Sequence, residues 1–281
     1  MAKLACMTLP YTPHSFERAL EGIAAAGYKY ISFGLPHAGI EVPDEEDKGT
    51  GAKLKVLFDR YGVQPIQLIA NAQFAPGQPL ERAVKRIQLA QELNIPEILT
   101  VGAGGYKRFP DELLPADEMA QKHKEFVEQY QRVADAALPY NVTITIKPHT
   151  GNTATAKDVM QTLSDINAPN VKGSYDPGNV QFYEGVNGAA DFPQMAKSTF
   201  SIIAKDHKGA RANADFPIPG NGDVNFVQIF KDWKAAGGDG TVVIERIDGP
   251  GEPNPTVIDE RVAKSYESVS GLMQQAGLSV Q

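Results

Sequence analysis

Side chains that can move protons follow four consecutive short apolar segments in the second half of the sequence. The segments are "VTITI", "VKGSY", "FSIIA" and "TVVI", and the polar residues that follow them are Lys147, His149, Asp176, Lys205, His207 and Glu245. Carboxylates and imidazoles are common general bases, and a fixed positive charge can stabilise an oxyanion. These residue types together suit proton abstraction next to a carbonyl group.

The elements that must position these residues are short strands separated by helices. Apolar residues recur every three or four positions between the strands, as in Phe16, Ala19, Leu20 and Ile23 before a stop at Gly27. This alternation predicts parallel strands joined by right-handed crossovers. The eight candidate strands are 3–9, 28–35, 63–71, 97–104, 142–149, 171–176, 200–207 and 241–247.

Eight such units in 281 residues predict a single (β/α)₈ TIM barrel that spans residues 1–281 as one domain. The main rival is an open doubly wound sheet, which usually carries a glycine-rich phosphate-binding turn after its first strand. The first strand here continues into "PYTPHSF", which is not such a turn. The polar residues at the strand ends therefore lie on the face where barrel active sites are built.

Alternation along the fifth strand predicts where its lysine points. If Ile144 and Ile146 face the helices, Lys147 faces the barrel interior. A buried ammonium group is costly unless a carboxylate pairs with it, so acidic residues are expected at the same level. Asp176 and Glu245 end the sixth and eighth strands and meet this requirement.

The composition narrows the class of partner. A net charge of -7 argues against nucleic acid, and no apolar run is long enough to cross a membrane. The single cysteine, Cys6, excludes an intrachain disulfide and a cysteine-based zinc site. The amino terminus lacks an export-signal pattern, so we expect a cytoplasmic protein, although a trimmed export signal would leave the same sequence. We expect a small polyhydroxylated substrate, and a homo-oligomer remains open.

Four segments resemble motifs of the xylose isomerase-like TIM barrel superfamily, the sugar phosphate isomerase/epimerase group. They are "YDPGN" (175–179), "AKDHKG" (204–209), "PIPGNGDVNF" (217–226) and "VVIE" (242–245). The resemblance covers essentially the whole chain. It implies a (β/α)₈ barrel that isomerises or epimerises a sugar.

The resemblance also implies a divalent cation held by four ligands: a Glu ending strand five, an Asp ending strand six, a His on strand seven and the last Glu. Asp176 and Glu245 match two of these positions. Lys147 replaces the strand-five Glu, with His149 matching the His two residues later, and Ile203 replaces the strand-seven His. A protonated lysine cannot ligate a metal.

Our first hypothesis is that Lys147 substitutes for the cation and stabilises an enolate or oxyanion. Glu245 or Asp176 then acts as the base, with His149 as a further catalytic candidate. In a second hypothesis the site keeps Mn²⁺, Mg²⁺ or Zn²⁺ on a rearranged ligand set. That set is Asp176, Glu245, His149 and His207, with Asp206 as an alternative to His207.

Two other functions stay open. A lyase or aldolase would use Lys147 or Lys205 as a Schiff-base nucleophile, and a degenerate barrel would only bind a sugar. A metal-dependent endonuclease of the same superfamily is disfavoured by the acidic charge and by only five histidines.

Several residues are candidates for substrate contact because of their positions after strand ends. The polar candidates are Lys205, His207, Asn179 and His37. Aromatic residues that could stack on a sugar ring are Phe74, Tyr106, Phe182, Tyr183 and Trp233, although core packing is an equal reading for most of them. Arginines that could bind a phosphate or carboxylate are Arg108, Arg211 and Arg246.

Overall fold

The protein folds as a closed barrel of parallel strands surrounded by helices. The structure is a computed structural model that describes residues 1–249 and 254–281. Within these residues the eight barrel strands are β1 (Lys3–Met7), β2 (Tyr30–Phe33), β3 (Gln64–Ile69), β4 (Glu97–Val101), β5 (Thr143–Lys147), β6 (Val171–Tyr175), β7 (Thr199–Ala204) and β8 (Thr241–Ile244). The ring runs in chain order, and it closes where Cys6 of β1 lies opposite Ile244 of β8. The predicted (β/α)₈ barrel is confirmed.

Helices cover the outside of the barrel. The long ones within the described residues are α1 (Phe16–Ala25), α2 (Thr50–Tyr61), α3 (Leu80–Glu92), α4 (Ala116–Ala137), α5 (Ala156–Ile166), α6 (Phe226–Ala235) and α7 (Pro255–Gln275). Short helical turns such as Pro177–Asn179 and Gly188–Asp191 stand between β6 and β7, and a small hairpin, Tyr106–Arg108 with Glu112–Leu113, follows β4. None of the described helices is long and apolar enough to cross a membrane.

Helix α1 shows how local sequence sets these elements. The Ser15 side chain caps it by accepting a hydrogen bond from the backbone N–H of Arg18, and the predicted apolar face is buried. The chain leaves the helix at Gly27, whose φ of 91° suits glycine. The apolar stripe packs against the outer surface of the strands.

Every strand is shorter at its carboxyl end than the sequence pattern predicts, because loop chemistry intervenes. Pro148 has no N–H to donate to a neighbouring strand, and β5 ends at Lys147. β6 ends at Tyr175 because the Asp176 carboxylate accepts a hydrogen bond from the backbone N–H of Asn179 at 2.9 Å and starts a helical turn. Catalytic candidates therefore stand partly on strands and partly on the first loop residues.

The barrel interior changes character along its axis. Inward positions on β4 carry Glu97, then Leu99, then Val101. The strands thus place a polar layer low in the barrel, an apolar layer above it and the lining of a cavity at the top.

The polar layer is built around the carboxyl group of Glu97, which is completely buried. Its Oε1 accepts hydrogen bonds from Thr145 Oγ1 at 2.7 Å and from Ser201 Oγ at 2.6 Å, whereas Oε2 has no hydrogen-bond partner among the described groups. Burial raises the pKa of Glu97, and the neighbouring side chains of Ser201, Thr145 and Gln67 offset this only in part. The sequence analysis missed this residue because it begins a strand like any surface glutamate.

The raised pKa of Glu97 predicts a pH-dependent stability. Between the ordinary glutamate pKa of about 4.3 and the raised value, the folded state holds a proton that the unfolded state releases. Stability contributed by the neutral form is therefore lost as the pH rises through this window, at most about 1.4 kcal/mol per pH unit. We expect the free energy of unfolding of Glu97→Gln to increase relative to that of the native protein as the pH rises from 5 to 8. Urea denaturation at each pH measures this difference.

The matched control for this prediction is Glu81→Gln, since Glu81 is an exposed residue in the first turn of α3. We expect its difference from the native protein to stay constant with pH. If the difference in free energy of unfolding between Glu97→Gln and the native protein also stays constant with pH, the buried carboxyl group is ionised in the folded state.

Candidate active site

The centre of the candidate site is the ammonium group of Lys147. Its Nζ donates a hydrogen bond to Asp176 Oδ2 at 2.9 Å and also contacts Glu245 Oε2. All three residues are buried: Lys147 is 7% exposed, Asp176 0% and Glu245 6%. The side chain of Lys147 therefore points into the barrel and links the ends of β5, β6 and β8.

A second ammonium group stands beside the first. Lys205 Nζ donates to Glu245 Oε1 at 3.2 Å and to Asn179 Oδ1 at 2.6 Å. Glu245 thus pairs one carboxylate oxygen with each lysine. A Cβ at Gly178 would lie 2.4 Å from the carbonyl oxygen of Lys205, so the backbone approach that brings Asn179 here requires glycine.

These charges fix one another's protonation. Burial alone would lower the pKa of Lys147, but Asp176 and Glu245 overcome it and raise that pKa well above the ordinary lysine value. Burial alone would raise the pKa of Glu245, but Lys147 and Lys205 lower it to about 2. At neutral pH Lys147 is an ammonium ion and Glu245 is a carboxylate.

Asp176 supports the site from behind. Its Oδ1 accepts the backbone N–H of Asn179, and Asn179 Nδ2 in turn donates to the carbonyl oxygen of Pro148 at 2.8 Å. Asp176 does not belong to the described cavity lining, whereas Glu245 does. The Asp176 carboxylate therefore contacts Lys147 and the backbone of Asn179, and Glu245 faces the cavity.

His149 adds a neutral imidazole to the same wall. Its Nε2 lies 3.1 Å from the hydroxyl oxygen of Tyr183, and the two rings are 4.4 Å apart. Burial, reinforced by repulsion from Lys147 and Lys205, lowers the pKa of His149 to about 4. The ring is therefore uncharged at neutral pH.

All these groups surround a cavity of about 210 Å³ at the carboxyl ends of the strands. Polar lining comes from the second half of the barrel and consists of Lys147, His149, Asn179, Lys205 and Glu245. The first half supplies Met7, Leu9, Leu35, Ile69, Leu99 and Val101, with Asn71 beside them. The sequence analysis missed this apolar group, because an aliphatic residue at a strand end looks like core. Only Leu9 and Leu35, which follow β1 and β2, carried a signal in their position after a strand.

Two expected substrate-binding histidines are not in the described lining. His37 Nε2 lies 3.0 Å from Thr8 Oγ1, its Nδ1 lies 3.3 Å from the carbonyl oxygen of His14, and the residue is 1% exposed. His207 Nε2 donates to the carbonyl oxygen of Asn213 at 2.8 Å. The His37 ring is held by the segment after β1 and the His207 ring by its own loop, so the structure does not bring either ring to the cavity.

Asp206, the alternative to His207 in the rearranged metal set, anchors the loop after β7. Its carboxylate accepts backbone N–H groups of His207, Gly220, Gly222 and Val224 at 2.8–3.1 Å. These bonds occupy both oxygens, so the side chain stabilises the loop and is not free to ligate.

The aromatic candidates for sugar stacking also lie outside the described lining. Phe74 and Trp233 are buried in the outer core between strands and helices. Tyr106, Phe182 and Tyr183 pack with Phe109 and Phe216 in a cluster above the polar wall. Of these, Tyr183 alone is bonded to a cavity residue in the described chain, through His149.

Two of the arginine candidates, Arg211 and Arg246, lie against this aromatic cluster. Arg211 Nη2 donates to Tyr106 Oη and to the carbonyl oxygen of Pro110, each at 3.0 Å. Arg246 lies over the Phe216 ring, 4.3 Å from its centroid, and contacts Asp248. Arg108 is exposed on the hairpin. None of the three is in the described lining.

The residues present do not fit a resident divalent cation. Among the described residues, no three His, Cys, Asp or Glu side chains gather in a way that could hold a metal ion. Lys147 occupies the space between Asp176 and Glu245, and its charge opposes a second cation. Ile203, at the position of the family's histidine, belongs to the apolar layer of the barrel.

Comparisons with known proteins assign this chain to a family. A family model of the xylose isomerase-like TIM barrel matches residues 20–267. A search of curated proteins found no match. A xylose isomerase domain protein from Alicyclobacillus acidocaldarius subsp. acidocaldarius has a similar solved structure, with a TM-score of 0.77, 17% identity, and coverage of 99% of this chain and 100% of that chain.

Two sugar epimerases have similar structures as well. D-allulose 3-epimerase from Methylomonas sp., solved in complex with D-allulose, has a TM-score of 0.72 and 18% identity over 96% of each chain. An L-ribulose 3-epimerase has a TM-score of 0.74 and 16% identity, covering 99% of this chain and 96% of its own. At these identities the structures show a shared fold. With the family match over most of its length, this chain belongs to the xylose isomerase-like TIM barrel family.

Proposed function

We propose that the protein is an isomerase or epimerase that moves a proton next to the carbonyl group of a small hydroxylated substrate. The observation that carries the proposal is the contact of Lys147 Nζ with both Asp176 and Glu245 at the end of the barrel, with Lys205 beside it. Two ammonium groups and a carboxylate face the same cavity. The set supplies an oxyanion stabiliser and a base without a metal.

In the proposed reaction Glu245 removes a proton from the carbon next to the carbonyl. The electron pair of that C–H bond forms a C=C bond, and the carbonyl π electrons move to oxygen to give an enolate. The ammonium groups of Lys147 and Lys205 stabilise the negative oxygen, more strongly in this buried site than in water. If the deprotonated carbon carries a hydroxyl group, transfer of that hydroxyl proton to the enolate oxygen and of the proton on Glu245 to the former carbonyl carbon gives the isomer. Protonation of the original carbon on its opposite face, by a donor other than Glu245, gives an epimer.

The low pKa of Glu245 belongs to the substrate-free site, where both of its oxygens are ion-paired. A substrate oxygen that accepts hydrogen bonds from the lysines draws them from the carboxylate and raises its basicity. Neutral His149 can hydrogen-bond a neighbouring substrate hydroxyl, and Tyr183 holds its ring in place. The epimerases among the structural neighbours support this reading at the level of fold.

The alternative lyase mechanism requires an unprotonated lysine. The carboxylates around Lys147 raise its pKa, which leaves little free amine to attack a carbonyl carbon. Lys205 shares Glu245 and also donates to Asn179. The same contacts that favour oxyanion stabilisation thus oppose Schiff-base formation.

We expect Lys147→Met to reduce proton transfer about a hundred- to a thousand-fold, because it removes the main oxyanion stabiliser. NMR in D₂O measures this directly, because it detects the exchange of the hydrogens next to the carbonyl for deuterium. The panel of compounds consists of ketoses, α-hydroxy ketones and aldoses. The matched control is Lys172→Met, an exposed lysine on β6. Unchanged exchange in Lys147→Met would refute the proposed role.

Loss of Lys147 leaves the buried Asp176 carboxylate without an ion-pair partner and Glu245 with Lys205 alone, at a cost of about 3–5 kcal/mol of stability. If circular dichroism shows that this variant is unfolded, Glu245→Gln tests the same mechanism. It keeps the pair of Lys147 and Asp176 but removes the base, so we expect exchange to fall as well. Normal exchange in a folded Glu245→Gln would exclude Glu245 as the base.

Reductive trapping separates the proposed mechanism from the lyase. Cyanoborohydride reduces an iminium ion to a stable secondary amine, which mass spectrometry detects as an adduct. We expect no substrate-dependent adduct on any lysine, because Lys147 stays protonated. An adduct on Lys147 or Lys205 would support the lyase instead.

The lysine-for-cation idea predicts how the site responds to Mn²⁺. We expect Mn²⁺ to leave the melting temperature of the native protein unchanged and to raise that of Lys147→Glu by several degrees, because binding to the folded state stabilises it. Lys172→Glu is the charge-matched control on the exposed side of β6. About one metal per native chain by mass spectrometry after dialysis would contradict the idea.

A further inference from the structure

The cavity has two chemically different halves, and the boundary between them follows the strand order. Side chains at the ends of β1 to β4 are aliphatic, whereas those at the ends of β5 to β8 are charged or polar. On the first side the described exception is Asn71, which is exposed at the start of a short helix after β3. A ligand that fills the cavity therefore meets hydrocarbon at one end and hydrogen-bonding groups at the other.

The aliphatic half is a fixed surface. Met7, Ile69 and Leu99 are at most 5% exposed and belong to the apolar layer inside the barrel. Leu9 and Leu35 are partly buried and pack against that layer. Met7, Ile69 and Leu99 continue a packed core up to the cavity, so they cannot turn away to make room for polar partners.

This wall discriminates against a fully hydroxylated carbon chain. A hydroxyl group placed against it loses water and finds no donor or acceptor, which costs about five- to a hundred-fold in affinity. A methylene group at the same place gains about four-fold. The difference accumulates with each carbon that contacts the wall.

We propose that the substrate carries its hydroxylated carbonyl at one end and a deoxygenated hydrocarbon tail at the other. The carbonyl and an adjacent hydroxyl meet Lys147, Lys205 and His149, while the tail lies on Met7 and Leu35. The volume of about 210 Å³ is below that of drug-sized ligand sites and suits a chain of about four to six carbons. This inference rests on the proposed function and departs from the polyhydroxylated substrate expected from the sequence.

Matched ketones of equal chain length test the proposal. The pairs are 1-hydroxy-2-butanone with L-erythrulose, and 1-hydroxy-2-hexanone with D-fructose, and affinities are compared per open-chain ketone because fructose is mostly cyclic in water. On that basis the members of each pair differ in the hydroxyl groups of the tail. Binding is measured by titration calorimetry or saturation-transfer NMR, and exchange of the C1 hydrogens is measured separately in D₂O. We expect the alkyl-tailed member of each pair to bind at least ten-fold more tightly.

A variant checks that the aliphatic wall causes the preference. Leu35→Asn introduces hydrogen-bonding groups into the wall, and we expect it to reduce the preference for the alkyl tail at least five-fold. Leu138→Asn is the control, since Leu138 is 53% exposed and lies outside the cavity. If Leu35→Asn keeps the native preference for the alkyl-tailed ketone, the aliphatic wall does not cause that preference.

Binding and exchange distinguish the two proposals. Alkyl-preferring binding without exchange would overturn the proposed function and support the substrate inference. Exchange with equal or better use of erythrulose and fructose would support the function and overturn the inference. Absence of binding by all four ketones would overturn the inference as well.

Discussion

The structure of the site depends on one ion pair geometry, in which a single ammonium group lies between two buried carboxylates. Without Lys147, the charges of Asp176 and Glu245 would face each other in a region that water does not screen. With it, the ends of β5, β6 and β8 are joined across the top of the barrel. Lys205 extends the network to β7 and completes the polar half of the cavity.

This network explains why the barrel is divided. Charged side chains stabilise one another only when they are close, so they concentrate on β5 to β8 and leave the ends of β1 to β4 to aliphatic residues. The polar layer around Glu97 lies lower in the barrel and is built differently. Hydroxyl groups, and not ammonium groups, donate hydrogen bonds to this carboxyl group. Ammonium groups thus lower the pKa of one carboxyl group, that of Glu245, whereas burial raises the pKa of the other, that of Glu97.

The sequence predicts the barrel and the orientation of Lys147 well, because strand alternation and strand ends are periodic features. Glu97 and the aliphatic wall escaped prediction, since a buried glutamate and a cavity-lining leucine have no local signature. His37 and His207 were expected near the substrate, yet hydrogen bonds to loop atoms hold both rings away from the cavity. Such loop contacts depend on partners such as Thr8, 29 positions away in the chain, which pattern analysis cannot pair.

The identity of residue 147 also has a consequence for how such a site evolves. Lysine and glutamate codons differ at one base, so a single nucleotide change separates this site from one with a third carboxylate in the same place. That change reverses the charge at the centre of a buried network. The altered chain would bring three carboxylates together where an ammonium group now lies between two, so one substitution would turn an internal ion pair into a site of mutual repulsion.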